Sequence, residues 1–163
     1  MKYVKEVLNN PGLLPKIVVL IYRCGYLIYF KLKIPVFRQL CYIIYRLIDF
    51  VIVRLLLNCD LPAATPIGLG LTIYHPYGII INSSAKIGTG LTIRAQSLIG
   101  NKGPAGSPCP VIGDNVDFGI GAKVIGDVRI GDKTKIGVNA VVTKSAPNDS
   151  ILVGIPAHNI ATK

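Results

Sequence analysis

The 163-residue sequence contains no tryptophan, one methionine, two histidines and only eight acidic residues. With histidine so scarce, His75 and His158 are the only imidazoles that could move a proton near neutral pH. Its four cysteines, Cys24, Cys41, Cys59 and Cys109, form no Cys-x-x-Cys pair, and their spacing suits neither a zinc site nor a disulfide framework. No metal site is expected, and a reduced, cytoplasmic protein is. The apolar region near the start lacks a signal-peptide cleavage site and continues into further helix. Between residues 16 and 57 no charge-free run exceeds seven residues, too short for a span of about 18 or more. Nothing resembles a nucleic-acid recognition helix or an RNA-binding motif, so no nucleic-acid partner is expected.

What is present is divided unevenly. Residues 1–59 hold nine Lys or Arg against two acids, and residues 60–163 hold nine against six. Nine of the twelve Tyr and Phe residues lie before residue 60, and fifteen of the seventeen glycines after it. Two segments follow, 1–58 and 59–163. The first reads as two helices, Lys16 to Lys33 and about Val36 to Leu57, separated at Pro35. On a helical wheel Arg38, Gln39, Arg46, Asp49 and Arg54 share one broad sector, and Lys16, Arg23 and Lys31 share another. Two roles fit such helices: burial in an oligomer core, or peripheral contact with the inner leaflet of a membrane through an apolar face flanked by cations and tyrosines.

The second segment has period six. Ile112, Phe118, Val124, Ile130, Ile136 and Val142 are spaced by six, as are Ile87, Ile93 and Ile99, and Ile67, Ile73 and Ile79. Neither a helix nor an alternating strand gives that period. Short strands joined by tight turns do, and three such units close one coil of a parallel β-helix. The fold class is therefore mainly β, a parallel β-helix preceded by an α-helical segment. Two interruptions stand out. A two-residue surplus falls between Ile79 and Ile87, just after His75, and Gly100 to Pro110 (GNKGPAGSPCP) leaves the repeat as a loop. Spacing alone leaves His75 as either a corner histidine or a general base. An uninterrupted repeat without a His/Asp pair would have suited a non-enzymatic β-helix scaffold.

Residues from about 58 onward resemble the serine acetyltransferase family, and more closely its exopolysaccharide branch of capsule and colanic-acid O-acetyltransferases. The resemblance rests on Cys59-Asp60-Leu61-Pro62, Tyr74-His75-Pro76-Tyr77-Gly78, Ile99-Gly100-Asn101-Lys102-Gly103, Pro108-Cys109-Pro110, Gly119-Ile120-Gly121-Ala122 and Val153-Gly154-Ile155-Pro156-Ala157. Tyr22-Arg23 with Gly25 weakly resembles the end of that family's helical region. It implies a left-handed coil, acetyl-CoA as acyl donor, His75 as general base and Asp60 as its carboxylate partner. It further implies that Gly100, Asn101, Gly119, Ile120, Gly121 and Ala122 lie along coenzyme A, that Tyr74 and Cys109 stand at the acceptor, and that three subunits form the sites between them. Apart from the resemblance, Lys144 suits either a coenzyme A phosphate or a solvated surface charge, and Tyr77 suits stacking on a sugar ring beside Tyr74. The serine-specific pattern has Asp where this chain has Tyr74 and His where it has Cys109. Losing those partners for an amino acid favours a sugar hydroxyl, on an exopolysaccharide or its lipid-linked precursor; serine O-acetylation is the alternative.

Overall fold

A six-residue strand-and-turn unit cannot bury its apolar side chain alone; stacking does it. The computed structural model describes residues 2–104 and 106–161, and the stacked strands run within them from Thr72 to Asn159. In chain order the strands are β1 (Thr72–Tyr74), β2 (Ile80–Ile81), β3 (Lys86–Ile87), β4 (Thr92–Arg94), β5 (Leu98–Gly100), β6 (Val111–Ile112) and β7 (Asp117–Phe118). They continue with β8 (Lys123–Ile125), β9 (Arg129–Ile130), β10 (Lys135–Ile136), β11 (Val141–Val142), β12 (Ile151–Val153) and β13 (His158–Asn159). Strands three apart pair in parallel up to β11, and β12 follows β10 because the third face there is only a bridge at Ala146. The first face is β1-β4-β7-β10-β12, the second β2-β5-β8-β11 and the third β3-β6-β9. The final strand, β13, turns back antiparallel on β12.

Inside the coil each face contributes a column: Ile73, Ile93, Phe118, Ile136 and Leu152; Ile81, Ile99, Val124 and Val142; Ile67, Ile87, Ile112 and Ile130. All are buried, and each such side chain contributes about 1.5–3 kcal/mol. The columns relocate one interruption. Ile81, not Ile79, is the register partner of Ile99. The eight-residue step therefore runs from Ile73 to Ile81, and the two surplus residues lie in the corner that holds His75.

Tight stacking fixes several turn glycines. A Cβ on Gly131 would stand 2.3 Å from the Asn148 nitrogen and 2.5 Å from the Pro147 carbonyl carbon. Because those are backbone atoms, Gly131→Ala is expected to cost roughly 1–3 kcal/mol, read as a lowered urea midpoint; an unchanged midpoint would show that the coils separate easily.

The helices differ from the sequence expectation. A first helix, α1 (Lys2–Asn9), precedes the two expected ones. α2 spans Leu13–Phe30, and α3 spans Pro35–Ile48 with Pro35 in its first turn. α3 runs on into a π-helical stretch, Asp49–Leu56. α2 is 18 residues long with mean hydropathy 1.6, apolar and long enough to cross a membrane by those measures. Yet Arg23, placed by the wheel on a shared basic face with Lys16 and Lys31, is only 2% exposed.

Arg23 belongs to a polar plug over the first coil. Its Nε and Nη2 donate to the two carboxylate oxygens of Glu6, both at 2.7 Å. Its Nη1 and Nη2 also donate to the carbonyls of Ile67 and Gly68. Glu6 Oε1 accepts the amides of Gly70 and Leu71. Asn10 bonds the Leu71 carbonyl and the Ile73 amide, and the Tyr22 hydroxyl donates to Thr65 O and accepts from Ile67 N. These contacts satisfy backbone groups that the end of a β-helix would otherwise leave unpaired. Burial pushes the Tyr22 hydroxyl well above the ordinary tyrosine range.

Candidate active site

The first-to-second-face corner recurs in each coil, and its turns stack. The Gln96 amide bonds Tyr77 O, Gly121 N bonds Ala95 O, and Asn139 N bonds Ile120 O. Gly78, Gln96, Gly121 and Asn139 are thus equivalent turn positions, all left-handed, with φ of 65°, 60°, 71° and 55°. His75 has φ 53° as well but lacks an equivalent among those turns. It belongs to the two-residue enlargement, and its carbonyl accepts the Tyr77 amide at 2.8 Å. A non-glycine residue held in this region costs energy that the surroundings must offset, and such positions cluster at functional sites.

Around the enlarged corner the imidazole is exposed, Pro76 is buried, and Tyr74 and Tyr77 are 39% and 47% exposed. His75, Tyr74, Pro76 and Tyr77 share a largely apolar cleft of about 310 Å³ with the α1–α2 turn, Pro11 to Pro15. That turn was not singled out in the sequence; its Asn-Pro-Gly signature was the available signal.

Asp60 lies at the top of the second face. Its amide bonds Ile79 O and its carbonyl accepts Ile81 N, both at 2.8 Å. Its carboxylate pairs with Arg54 at 2.7 Å, and Arg54 also bonds Asp49 at 3.1 Å. No hydrogen bond joins Asp60 to His75 among the described residues. Asp60 Oδ1 is itself buried and makes an ion-pair contact without a well-directed hydrogen bond. Burial holds the Asp49 carboxyl above the usual range despite its bond to Arg54.

The remaining positions divide between two edges. Gly119 to Ala122 occupy the corner two coils below His75, on the same edge, with Ile120 exposed and Lys123 Nζ donating to Gly121 O. Gly100 and Asn101 share a groove of about 350 Å³ with Asp60, at the far edge of the second face. Asn101 there donates to Gly103 and Pro104 carbonyls. The Gly100–Pro110 loop and Cys109 leave from that far edge, so within one chain the second face separates them from the His75 corner. Lys144 is exposed at the same far edge, apart from Gly119 to Ala122. Burial pushes the Cys109 thiol up from its ordinary range.

The stacked three-sided β-helix sets the fold and not the reaction. The curated relatives supply the rest, and the chain belongs to the left-handed β-helix, hexapeptide-repeat acyltransferase family that contains the serine acetyltransferases. It is 33% identical over 112 residues to WcaB of Escherichia coli K12, whose name assigns it to colanic acid biosynthesis as an acetyltransferase; the match spans 66% of this chain and 69% of WcaB. It is 37% identical over 108 residues to a serine acetyltransferase of Mycobacterium tuberculosis, spanning 66% of this chain and 47% of that one. Among solved structures, a soybean serine acetyltransferase complexed with serine superposes with a TM-score of 0.77 at 26% identity, covering 91% of this chain and 58% of the other. The chain thus spans about half the length of the serine acetyltransferases it matches. No family model matches the sequence.

Proposed function

We propose that the protein is an acetyl-CoA-dependent O-acetyltransferase acting on a sugar hydroxyl of an exopolysaccharide or its lipid-linked precursor. The observation that carries the reading is His75 in the enlarged corner, flanked by the exposed rings of Tyr74 and Tyr77. Aromatic faces suit a sugar ring, whereas an amino-acid zwitterion calls for charged partners at the positions of Tyr74 and Cys109.

In the proposed reaction His75 removes the acceptor proton as the hydroxyl oxygen attacks the thioester carbonyl. A C–O bond forms, the tetrahedral oxyanion is met by backbone N–H groups, and the C–S bond breaks. The imidazolium then returns its proton to the departing coenzyme A sulfur. Asp60, whose carboxylate is paired with Arg54 in this structure, serves as the orienting carboxylate that the resemblance assigns to His75. The Gly119 to Ala122 corner takes the coenzyme arm, with Gly100, Asn101 and Lys144 at the far edge. Since the two edges are separated within one chain, the complete site is proposed to form between subunits of a homotrimer.

Peripheral attachment to the inner leaflet is proposed for the helices. Val36, Phe37, Leu40, Ile43 and Leu47 of α3 are more than half exposed, and Lys31, Lys33, Arg38 and Arg46 are exposed around them. Cosedimentation with phosphatidylglycerol vesicles, and none with phosphatidylcholine vesicles, is the expected result; no binding to either would overturn this part.

Serine acetylation is the second reading, favoured by the names of the relatives. Coenzyme A release is expected with oligosaccharide acceptors and not with L-serine. Efficient release with L-serine alone would overturn the sugar reading.

A further inference from the structure

Tyr74 does not present both of its ring faces to the cleft. One is covered by Arg94, whose guanidinium carbon lies 5.2 Å from the ring centroid. The two residues are register partners on β1 and β4, so Arg94 stands one coil below the residue next to His75. Along β4, Ile93 points inward while Thr92 and Arg94 point outward. Arg94 is anchored on one side only. Its Nη1 bonds the Asp117 carboxylate and, at 2.8 Å, the Phe118 carbonyl. Its Nε and Nη2 donate to no group among the described residues, and its side chain is 29% exposed.

That free edge has a known use within this protein. Arg23 grips the Glu6 carboxylate with its Nε and Nη2, one bond to each oxygen. A planar fork of that kind matches a carboxylate bidentately. Nor does Asp117 saturate the guanidinium: Arg54 stands between two carboxylates, Asp49 and Asp60.

We propose that Arg94 is a specificity-determining residue that holds the carboxylate of an acidic sugar with its Nε–Nη2 edge while Nη1 stays on Asp117. The acceptor class is then a uronic-acid-containing saccharide, its ring beside Tyr74 and its reacting hydroxyl at His75. The inference rests on the sugar reading of the same site and adds the acceptor's charge.

The test uses two oligosaccharides that differ only in one sugar carrying a carboxylate in place of a CH2OH group. Their kcat/KM values are compared in the full-length protein, with acetyl-CoA saturating. Wild type is expected to prefer the acidic acceptor by about 10- to 100-fold, the worth of a charged hydrogen-bonded contact. Arg94→Gln should bring the ratio close to one, and Arg94→Lys should leave part of it. The ratio cancels any general loosening of Tyr74, which would slow both acceptors alike. A wild-type ratio near one, or an unchanged ratio in Arg94→Gln, overturns the inference while leaving a sugar acceptor in place. If Arg94→Gln does not fold, an unchanged ratio in Arg94→Lys serves the same purpose. Acetylation of L-serine with neither sugar turned over would instead overturn the sugar reading, and this inference with it.

Discussion

Replacing His75 with alanine is expected to lower acetyl transfer by about 10²- to 10⁴-fold, the usual contribution of a positioned acid–base group, while the protein stays folded. The imidazole is exposed and outside the apolar columns, so its loss leaves no cavity. The backbone needs separate care, because φ at this position is 53° and alanine disfavours that region. His75→Asn is the better companion variant, since asparagine tolerates left-handed geometry and cannot serve as a base near neutral pH. His75→Asn should melt near wild type, His75→Ala somewhat below it, and both should lose about 10²- to 10⁴-fold of the transfer rate. A His75→Asn protein with wild-type kcat would remove the imidazole from the mechanism.

Glu6→Ala is expected to destabilise the protein by about 3–5 kcal/mol, the cost of leaving one member of a buried ion pair without its partner. Glu6 is 6% exposed and Arg23 2%. Removing the carboxylate strands the guanidinium and also the amides of Gly70 and Leu71. Glu6→Gln should cost less, because an amide oxygen still accepts from those amides. Replacing Glu6 and Arg23 together by Leu and Met should not restore full stability, although apolar pairs often substitute well for buried ions. Here the carbonyls of Ile67 and Gly68 would lose their donors too. Urea denaturation checks the order; a loss below 1 kcal/mol in Glu6→Ala would mean that the plug does not hold the helices to the coil.

The repeat was legible because the three stacked columns admit few residue types, and every column position from Ile87 to Val142 is aliphatic or Phe118, while the buried Ser97 and Thr134 lie between them. The same columns explain why the surplus was misplaced. Ile79, Ile80 and Ile81 are consecutive, and both Ile79 and Ile81 are buried. Spacing cannot tell which of the two occupies the column; only pairing with Ile99 decides it. α1 was missed because its identity is tertiary: an eight-residue segment gains its place from Glu6, and the following Asn10, bonding to backbone more than sixty residues away. The burial of Arg23 is not legible from its shared sector with Lys16 and Lys31, because a helical wheel gives an angle and not a depth. Arg94 was passed over because the features that single it out, Tyr74 and Asp117, are twenty and twenty-three residues away in sequence. His75 itself was found through the motif, yet its distinction from Gln96 and Asn139 appears only when the turns are stacked.

A sugar hydroxyl, and not that of serine, is proposed to be the nucleophile delivered to His75. The most direct measurement is a competition in one vessel: acetyl-CoA, L-serine and a uronic-acid-containing oligosaccharide at equal concentrations, with the acetylated products identified by mass spectrometry. The expected product is an O-acetyl ester on the oligosaccharide, absent with His75→Asn, with little or no O-acetylserine. O-acetylserine as the main product, with the oligosaccharide unmodified, would contradict it.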